Sequence, residues 1–423
     1  MKNYAEYIEN LKTLISFKTV DAPAEENAPF GKENFKALNF VLDLAKSFGF
    51  ETVNYDNYAG EIVFGEGEEI GIVGHLDVVP TGIGWKTDPF TLTLKDGYYY
   101  ARGIVDDKAP TLLCLYALKE LKDSGAPVNR KFRLFVGCNE ETGWKDIDYV
   151  ASKTKMPEYG FSPDGNFPVS YAEKGITNVY FELPPLKNFY DIKAGTVINA
   201  VCDYACVKAK PAGINRAILE KHGLKLKGDD LIESFGKAAH SSMPHLGKNA
   251  LKPLFEYFAE MGEDVKNVLD YMFYDKAEIS KMQNEQGILT FSPDLAEEKD
   301  GKIIIAVNCR IPAPLTQNDL IPVLDKFGYK YSLTGKHEPM MVKKDGWFVQ
   351  TMLGAFTAVR GEKAEPISMG GSTFARAFKQ GCAFGPDFKT YDTNCHDANE
   401  RMKEADLLAA YEIYKKTIFD LAK

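Results

Sequence analysis

GIVGHLDVV (residues 71–79) is apolar along both faces except for His75 and Asp77. A strand with one face in water alternates apolar and polar residues, whereas a strand covered on both faces reads as a nearly continuous apolar run. The segment therefore reads as a strand buried within a sheet. His75 and Asp77, two apart, would share one of its faces near the C-terminal end, where open α/β sheets bind ligands. Downstream, TLLCLYALKELKDSG (111–125) reads as a helix closed by Gly125, and KFRLFVGC (131–138) as a second buried strand running into the polar NEETGW. Upstream, a helix over 4–17 carries Ile8, Leu11 and Ile15 on one stripe, and a second covers 32–48. This alternation predicts an α/β fold in which helices flank a mostly parallel sheet.

The texture changes from about residue 180 to 339, where AGTVINAVCDYACVKA and KIIIAVNCRIP read as strands and NALKPLFEYFAEM and QNDLIPVLDKFG as helices. That pattern predicts an inserted α+β domain over 179–342, with 1–178 and 343–423 forming the two parts of the first domain. GWFVQTMLGAFTAVRG and DANERMKEADLLAAYEIYKKTIFDLAK return to long amphipathic helices, with GGSTFAR between them. A length of 423 residues suits two to three domains of about 100–200 residues each. Hydrophobic residues make up 45%, enough for large cores. Lys plus Arg is 51 against 60 Asp plus Glu, a net −9 that argues against nucleic-acid or anionic-membrane binding and for a small-molecule substrate. Seven Cys spread over the chain argue against a disulfide framework. The first 20 residues lack a secretory apolar segment, and no stretch of about 18 apolar residues occurs, so a cytoplasmic protein is expected.

Carboxylates and histidines recur where strands end. Asp77 is spaced to orient a metal-binding His75. Asp106 and Asp107, ahead of Pro110, read either as helix-capping acids or as ligands. Glu140 and Glu141, at the end of a strand, would point to opposite sides, so that one could coordinate a cation and the other act as a base. Asp164 in SPDGNFP and His396 in NCHDANE read singly as turn and loop residues. Convergence of Asp106, Glu140, Glu141 and Asp164 would raise several of their pKa values unless cations were present. Two divalent ions balance such a charge, and mixed His and carboxylate donors suit Zn²⁺, with Mn²⁺ or Co²⁺ as alternatives.

The runs GHLDVVPTG, ARGIVDDKAP, NEETGW, SPDGNFP, GGSTFAR and NCHDANE, in this order, resemble the co-catalytic metallopeptidase family of carboxypeptidase G, aminoacylase and succinyl-diaminopimelate desuccinylase, and within it the dipeptidase V type. The resemblance implies a dinuclear metal-dependent dipeptidase with His75, Asp106 and Asp164 on one ion, and Asp106, Glu141 and His396 on the other. It implies Glu140 as general base, supported by Asp77, and a cis peptide between Asp106 and Asp107. The inserted domain becomes a lid bringing His240 to the oxyanion and Asn199 beside it. Arg310, with Gly370, Gly371, Ser372 and Thr373, would hold the substrate carboxylate, and a monomer is expected rather than a homodimer. The neighbouring activity is N-acyl-amino-acid deacylation or desuccinylation. A non-catalytic metal-binding homologue would have lost the base or a ligand, and this chain keeps them. Departures from the family pattern are Ala109 for Gly, Asn139 before the Glu pair, and Cys202–Asp203 where Pro-Asp is usual. Cys395 beside His396 reads poorly as a thiol protease pair, because adjacent side chains rarely meet in hydrogen-bond geometry.

Overall fold

The structure, a computed structural model, describes residues 1–423 apart from the side chain of Lys336. It divides into two compact units. The first comprises Met1–Tyr171, Val342–Ile367 and Thr373–Lys423, and the second Ala172–Met341 with Ser368–Ser372.

At the centre of the first unit four strands run parallel, in the order Arg130–Gly137, Glu68–His75, Tyr159–Ser162, Gln380–Ala383. Antiparallel strands Ala59–Phe64 and Glu51–Tyr55 extend one side, and Ser170–Glu173 the other. Ile70, Ile72, Val73, Phe132, Leu134, Phe135 and Val136 are fully buried, as strands covered on both faces require. Helix Lys108–Ser124 packs on Glu404–Leu421, which also meets Trp347–Arg360. The first of these ends at Gly125, whose φ of 65° closes the helix in the left-handed conformation. In helix Tyr4–Ser16 the buried stripe is Tyr7, Leu11, Leu14 and Ile15. Ile8 is half-buried, because Tyr7 completes the spacing of three and four residues toward the core.

Two sequence expectations about strand ends are corrected. The central strand stops at His75, so Asp77 lies beyond it and does not share a strand face with His75. Glu140 and Glu141 sit in a turn after the strand that ends at Gly137, so strand alternation does not separate them. The C-terminal helix also starts later than DANE, at Glu404, since Arg401–Lys403 pair with Tyr98–Tyr100 in a small sheet.

The second unit is α+β. Its main sheet has eight strands, paired antiparallel in the order Lys225–Lys227, Leu231–Phe235, Tyr204–Ala209, Phe189–Ala194, Thr290–Lys299, Lys302–Ile311, Gly175–Leu183, Lys330–His337. Strand Gly175–Leu183 alternates buried and half-buried residues, the signature of a sheet with one covered face. Helices Leu251–Glu260 and Gln317–Leu324 contribute Leu254, Phe255, Phe258, Leu320 and Leu324 to that core. The segment read as one strand around VINAV is split, and Asn199 lies in the connection. Among the described residues no helix is long and apolar enough to cross a membrane.

Candidate metal centre

The ladder between the two central strands finishes with His75 opposite Gly137. Both chains then leave the sheet together, and that exit builds the centre. Asp77 Oδ1 accepts the backbone N–H of Glu140 at 3.1 Å, and Oδ2 that of Glu141 at 3.0 Å. Its Oδ1 lies 3.4 Å from His75 Nδ1, which is also 3.0 Å from the Asp77 carbonyl oxygen. A single buried carboxylate thus orients the imidazole and fixes the turn carrying both glutamates. This function, rather than a shared strand face, accounts for the position of Asp77.

Asp107 occupies the N-cap position of helix Lys108–Ser124 without capping it. Its Oδ2 instead accepts the Thr111 hydroxyl at 2.8 Å and the His75 backbone N–H at 3.2 Å. The helix therefore grips the central strand at its end, and Gly74 is required there: a Cβ would lie 1.9 Å from Thr111 Oγ1 and 2.5 Å from Asp107 Oδ2. Burial pushes the Asp107 carboxyl up to about 8. The bond between Asp106 and Asp107 is cis, as the resemblance implies.

With its nitrogen Nδ1 so engaged, His75 turns Nε2 to a cluster of acids. Nε2 is 2.9 Å from Asp106 Oδ1 and 3.8 Å from Asp164 Oδ2. The other Asp106 oxygen, Oδ2, is 2.8 Å from His396 Nε2, which lies 3.4 Å from Glu141 Oε2. His75, Asp106 and Asp164 form one group able to hold a cation; Asp106, Cys395 and His396 form another. Asp106 belongs to both.

Burial and the neighbouring carboxylates hold Glu140 and Asp164 well above the ordinary carboxylate range and raise Glu141. Asp106 is held well below that range: burial opposes its charge, but His396 and His75 outweigh it. For His396, burial opposes the proton and Asp106 with Glu141 push it up to about 12. Protons alone relieve the crowding badly, because three buried atoms remain without a hydrogen-bond partner: His75 Nε2, Asp106 Oδ1 and Glu141 Oε1. Nε2 and Oδ1 are close yet not aligned as donor and acceptor, which is what lone pairs aimed at a shared cation look like. The donor set of imidazole and carboxylate suits Zn²⁺, Mn²⁺ or Co²⁺.

Three further residues support the centre. Glu400 is fully buried, takes the Arg102 guanidinium at 2.7 Å, and accepts backbone N–H groups from Gly103, Val105 and Asp106 at 2.8–3.3 Å. Asp146 Oδ2 accepts the N–H groups of Cys138 and Asn139 at 2.6 and 2.8 Å, steering the chain into the Glu140 turn. Lys108 donates to the Leu14 and Phe17 carbonyls, and burial pulls it down to about 7. Glu400 lies in the NCHDANE motif and Asp107 beside Asp106, so both carried a local signal; Asp146 carried none.

The remaining sequence candidates fall in the second unit, apart from Thr373. His240 Nδ1 accepts the Ser242 backbone N–H at 3.1 Å and lies 2.7 Å from the Ser242 hydroxyl. Ser241 N–H donates to the Asn199 carbonyl at 3.0 Å, and Ser241 Oγ to the buried Asp294 at 2.5 Å. Arg310 donates through Nε to Asn308 at 2.9 Å and through Nη1 to the Gly370 carbonyl at 3.3 Å. Gly370, Gly371 and Ser372 belong to this unit, whereas Thr373, in the first, caps the short helix Phe374–Ala377.

Imidazole and carboxylate donors gathered at the ends of parallel strands, with an extra glutamate beside them, define a metallohydrolase centre. The sequence profile of peptidase family M20/M25/M40 matches residues 71–420, and the chain belongs to that family: it is a metal-dependent peptide-bond hydrolase. It is 32% identical to the Beta-Ala-Xaa dipeptidase of Lactobacillus delbrueckii subsp. lactis over 98% of this chain and 96% of that relative. In fold it resembles human carnosine dipeptidase 1, with a TM-score of 0.63, 14% identity and coverage of 99% of this chain and 96% of the other. It likewise resembles the M20 family metallo-carboxypeptidase Sso-CP2 of Sulfolobus solfataricus, with a TM-score of 0.63, 15% identity and 98% of each chain covered.

Proposed function

We propose that the protein is a dinuclear dipeptidase acting on dipeptides with a free C-terminal carboxylate. His75, Asp106 and Asp164 would hold one ion and Asp106, Glu141 and His396 the other, with Zn²⁺ the expected metal. When bound, the two cations polarise the scissile carbonyl and acidify a water molecule. Glu140 would take a proton from the attacking water and deliver it to the departing amine nitrogen, a role suited to a buried carboxylate whose affinity for protons is raised. Asp77 keeps the Glu140 turn and the His75 ring in place. His240 accepts at Nδ1 from Ser242, which leaves its proton on Nε2 as a donor for the oxyanion. Arg310 and the 370–373 backbone are assigned to the carboxylate, since a guanidinium matches it in two places, and Asn199 to the substrate beside His240. The inserted unit thereby serves as the lid of a cytoplasmic, monomeric enzyme.

The observation that carries this reading is the trio of buried, unpartnered atoms on His75, Asp106 and Glu141. Similarity to a Beta-Ala-Xaa dipeptidase supports the dipeptide substrate. The test is a substrate panel on chelated and reloaded protein. Dipeptides should be cleaved after Zn²⁺, Mn²⁺ or Co²⁺ is returned and not before. Full activity without metal refutes the mechanism, and cleavage confined to N-acyl or N-succinyl amino acids moves the assignment to deacylation.

A further inference from the structure

NCHDANE places a thiol beside a metal-binding imidazole, and the thiol protease reading leaves Cys395 without work. Neighbouring residues on a strand point apart, but this segment is a tight turn: Asn394 and His396 have φ of 52° and 64°, and Asp397 N–H donates to the Asn394 carbonyl at 2.9 Å. The turn brings both side chains to one carboxylate oxygen. Cys395 Sγ lies 3.4 Å from Asp106 Oδ2, and His396 Nε2 lies 2.8 Å from the same atom. His396 is thus directed at Asp106 and not at the sulfur, which explains why the pair does not form a nucleophile and base.

With typical bonds of about 2.0–2.1 Å to N or O and about 2.3 Å to S, ligand atoms of a tetrahedral Zn²⁺ stand roughly 3.3–3.4 Å apart for an N/O pair and about 3.5–3.6 Å apart where one is sulfur. The His396 Nε2–Glu141 Oε2 distance of 3.4 Å has the N/O spacing, the Sγ–Oδ2 distance of 3.4 Å falls within about 0.2 Å of the sulfur spacing, and the 2.8 Å contact is shorter. An independent sign that a ligand belongs here comes from Glu141. Its side chain is only 7% exposed, reaches His396 with Oε2, and keeps Oε1 buried without a hydrogen-bond partner.

From this geometry we infer that Cys395 is a thiolate ligand of the second ion, beside Asp106 and His396, and so biases that position toward soft, thiophilic metals. The inference rests on the two-ion reading above. On binding, the S–H bond breaks, a sulfur–metal bond forms and the proton passes to solvent. Soft sulfur favours Zn²⁺ over Mn²⁺ more than carboxylate and imidazole alone would, so the preference differs between the two positions.

The experiment is to load chelated protein with Co²⁺, count bound ions, and record the near-ultraviolet spectrum of wild type, Cys395→Ser and Cys395→Ala. Wild type should bind two ions and show an intense sulfur-to-cobalt charge-transfer band, absent from both variants. The Zn²⁺-over-Mn²⁺ affinity ratio at the second position should fall about tenfold in Cys395→Ser. A cobalt protein lacking that band, or a band that survives in both variants, overturns the assignment. A count below two with the band present leaves Cys395 ligated and instead refutes the two-ion reading. Two variants of different polarity guard against misfolding, which circular dichroism reads separately.

Discussion

Glu140 and Glu141 share one chemical type, one turn and one backbone anchor on Asp77. Their proposed roles differ, so the same substitution should have different consequences. Glu140→Gln keeps shape but cannot accept a proton, and kcat should drop by about 10² to 10⁴ with both ions retained. Glu141→Gln leaves a poorer donor and excess positive charge, so one ion should be lost and activity should recover in part with added metal. Metal counts beside kcat separate the two, and a metal-depleted Glu140→Gln next to a loaded, inactive Glu141→Gln would reverse the roles. The sequence marked both glutamates but supplied the wrong geometric reason for their divergence. It is the turn held by Asp77, not a pleat, that sets them, and a turn anchored on a side chain 63 residues away has no local signature. In the same way, NCHDANE and VDDKAP each carry composition that suggests ligands, but nothing in either run expresses the 2.8 Å approach of His396 to Asp106 across 290 positions.

At the level of elements, the central strand and helices were legible because burial on both faces leaves an uninterrupted apolar run, and one covered face leaves a helical stripe. Strand ends were not, because they are fixed by where the ladder loses its partner, here at His75 opposite Gly137. Gly74, beside that end, reads in sequence as one small residue in a strand; its need appears only once Thr111 packs across it. Gly74→Ala should therefore push the strand from helix Lys108–Ser124, lowering unfolding free energy by about 1–3 kcal/mol. Urea denaturation of metal-free protein measures this, and an unchanged midpoint would show that the helix shifts freely.

On the scale of the whole chain, stability should follow metal and pH in separable ways. Ions that bind only the folded centre raise the unfolding free energy by mass action, by about 2.7 kcal/mol per site at a hundredfold excess over Kd, and with it the melting temperature; a chelator should remove that gain. Scanning calorimetry with and without Zn²⁺ checks it, and coincident traces would argue against a structural contribution from the ions. In the second unit, burial pushes Asp294 up to about 7 even though Ser241 and Ser292 donate to it. A folded value above the ordinary 3.8 means that the native state holds the proton more tightly, so this contribution is present below about pH 4 and is lost as pH rises through 7. Asp294→Asn should flatten the decline between those limits by about 1–3 kcal/mol, measured as urea stability against pH. An identical slope in the variant would mean that the carboxyl titrates normally.

Glu400 stitches the Arg102–Asp106 loop with four hydrogen bonds, each spanning between 294 and 298 positions of sequence. During synthesis, everything needed for the sheet's first three parallel strands emerges long before this residue does. The loop bearing Asp106 then has no clamp, and His396 has not yet been made. A ribosome-bound chain therefore passes through an extended period in which it is partly folded yet cannot assemble the centre, so it neither captures metal in a finished site nor cuts peptides until His396 and Glu400 have emerged.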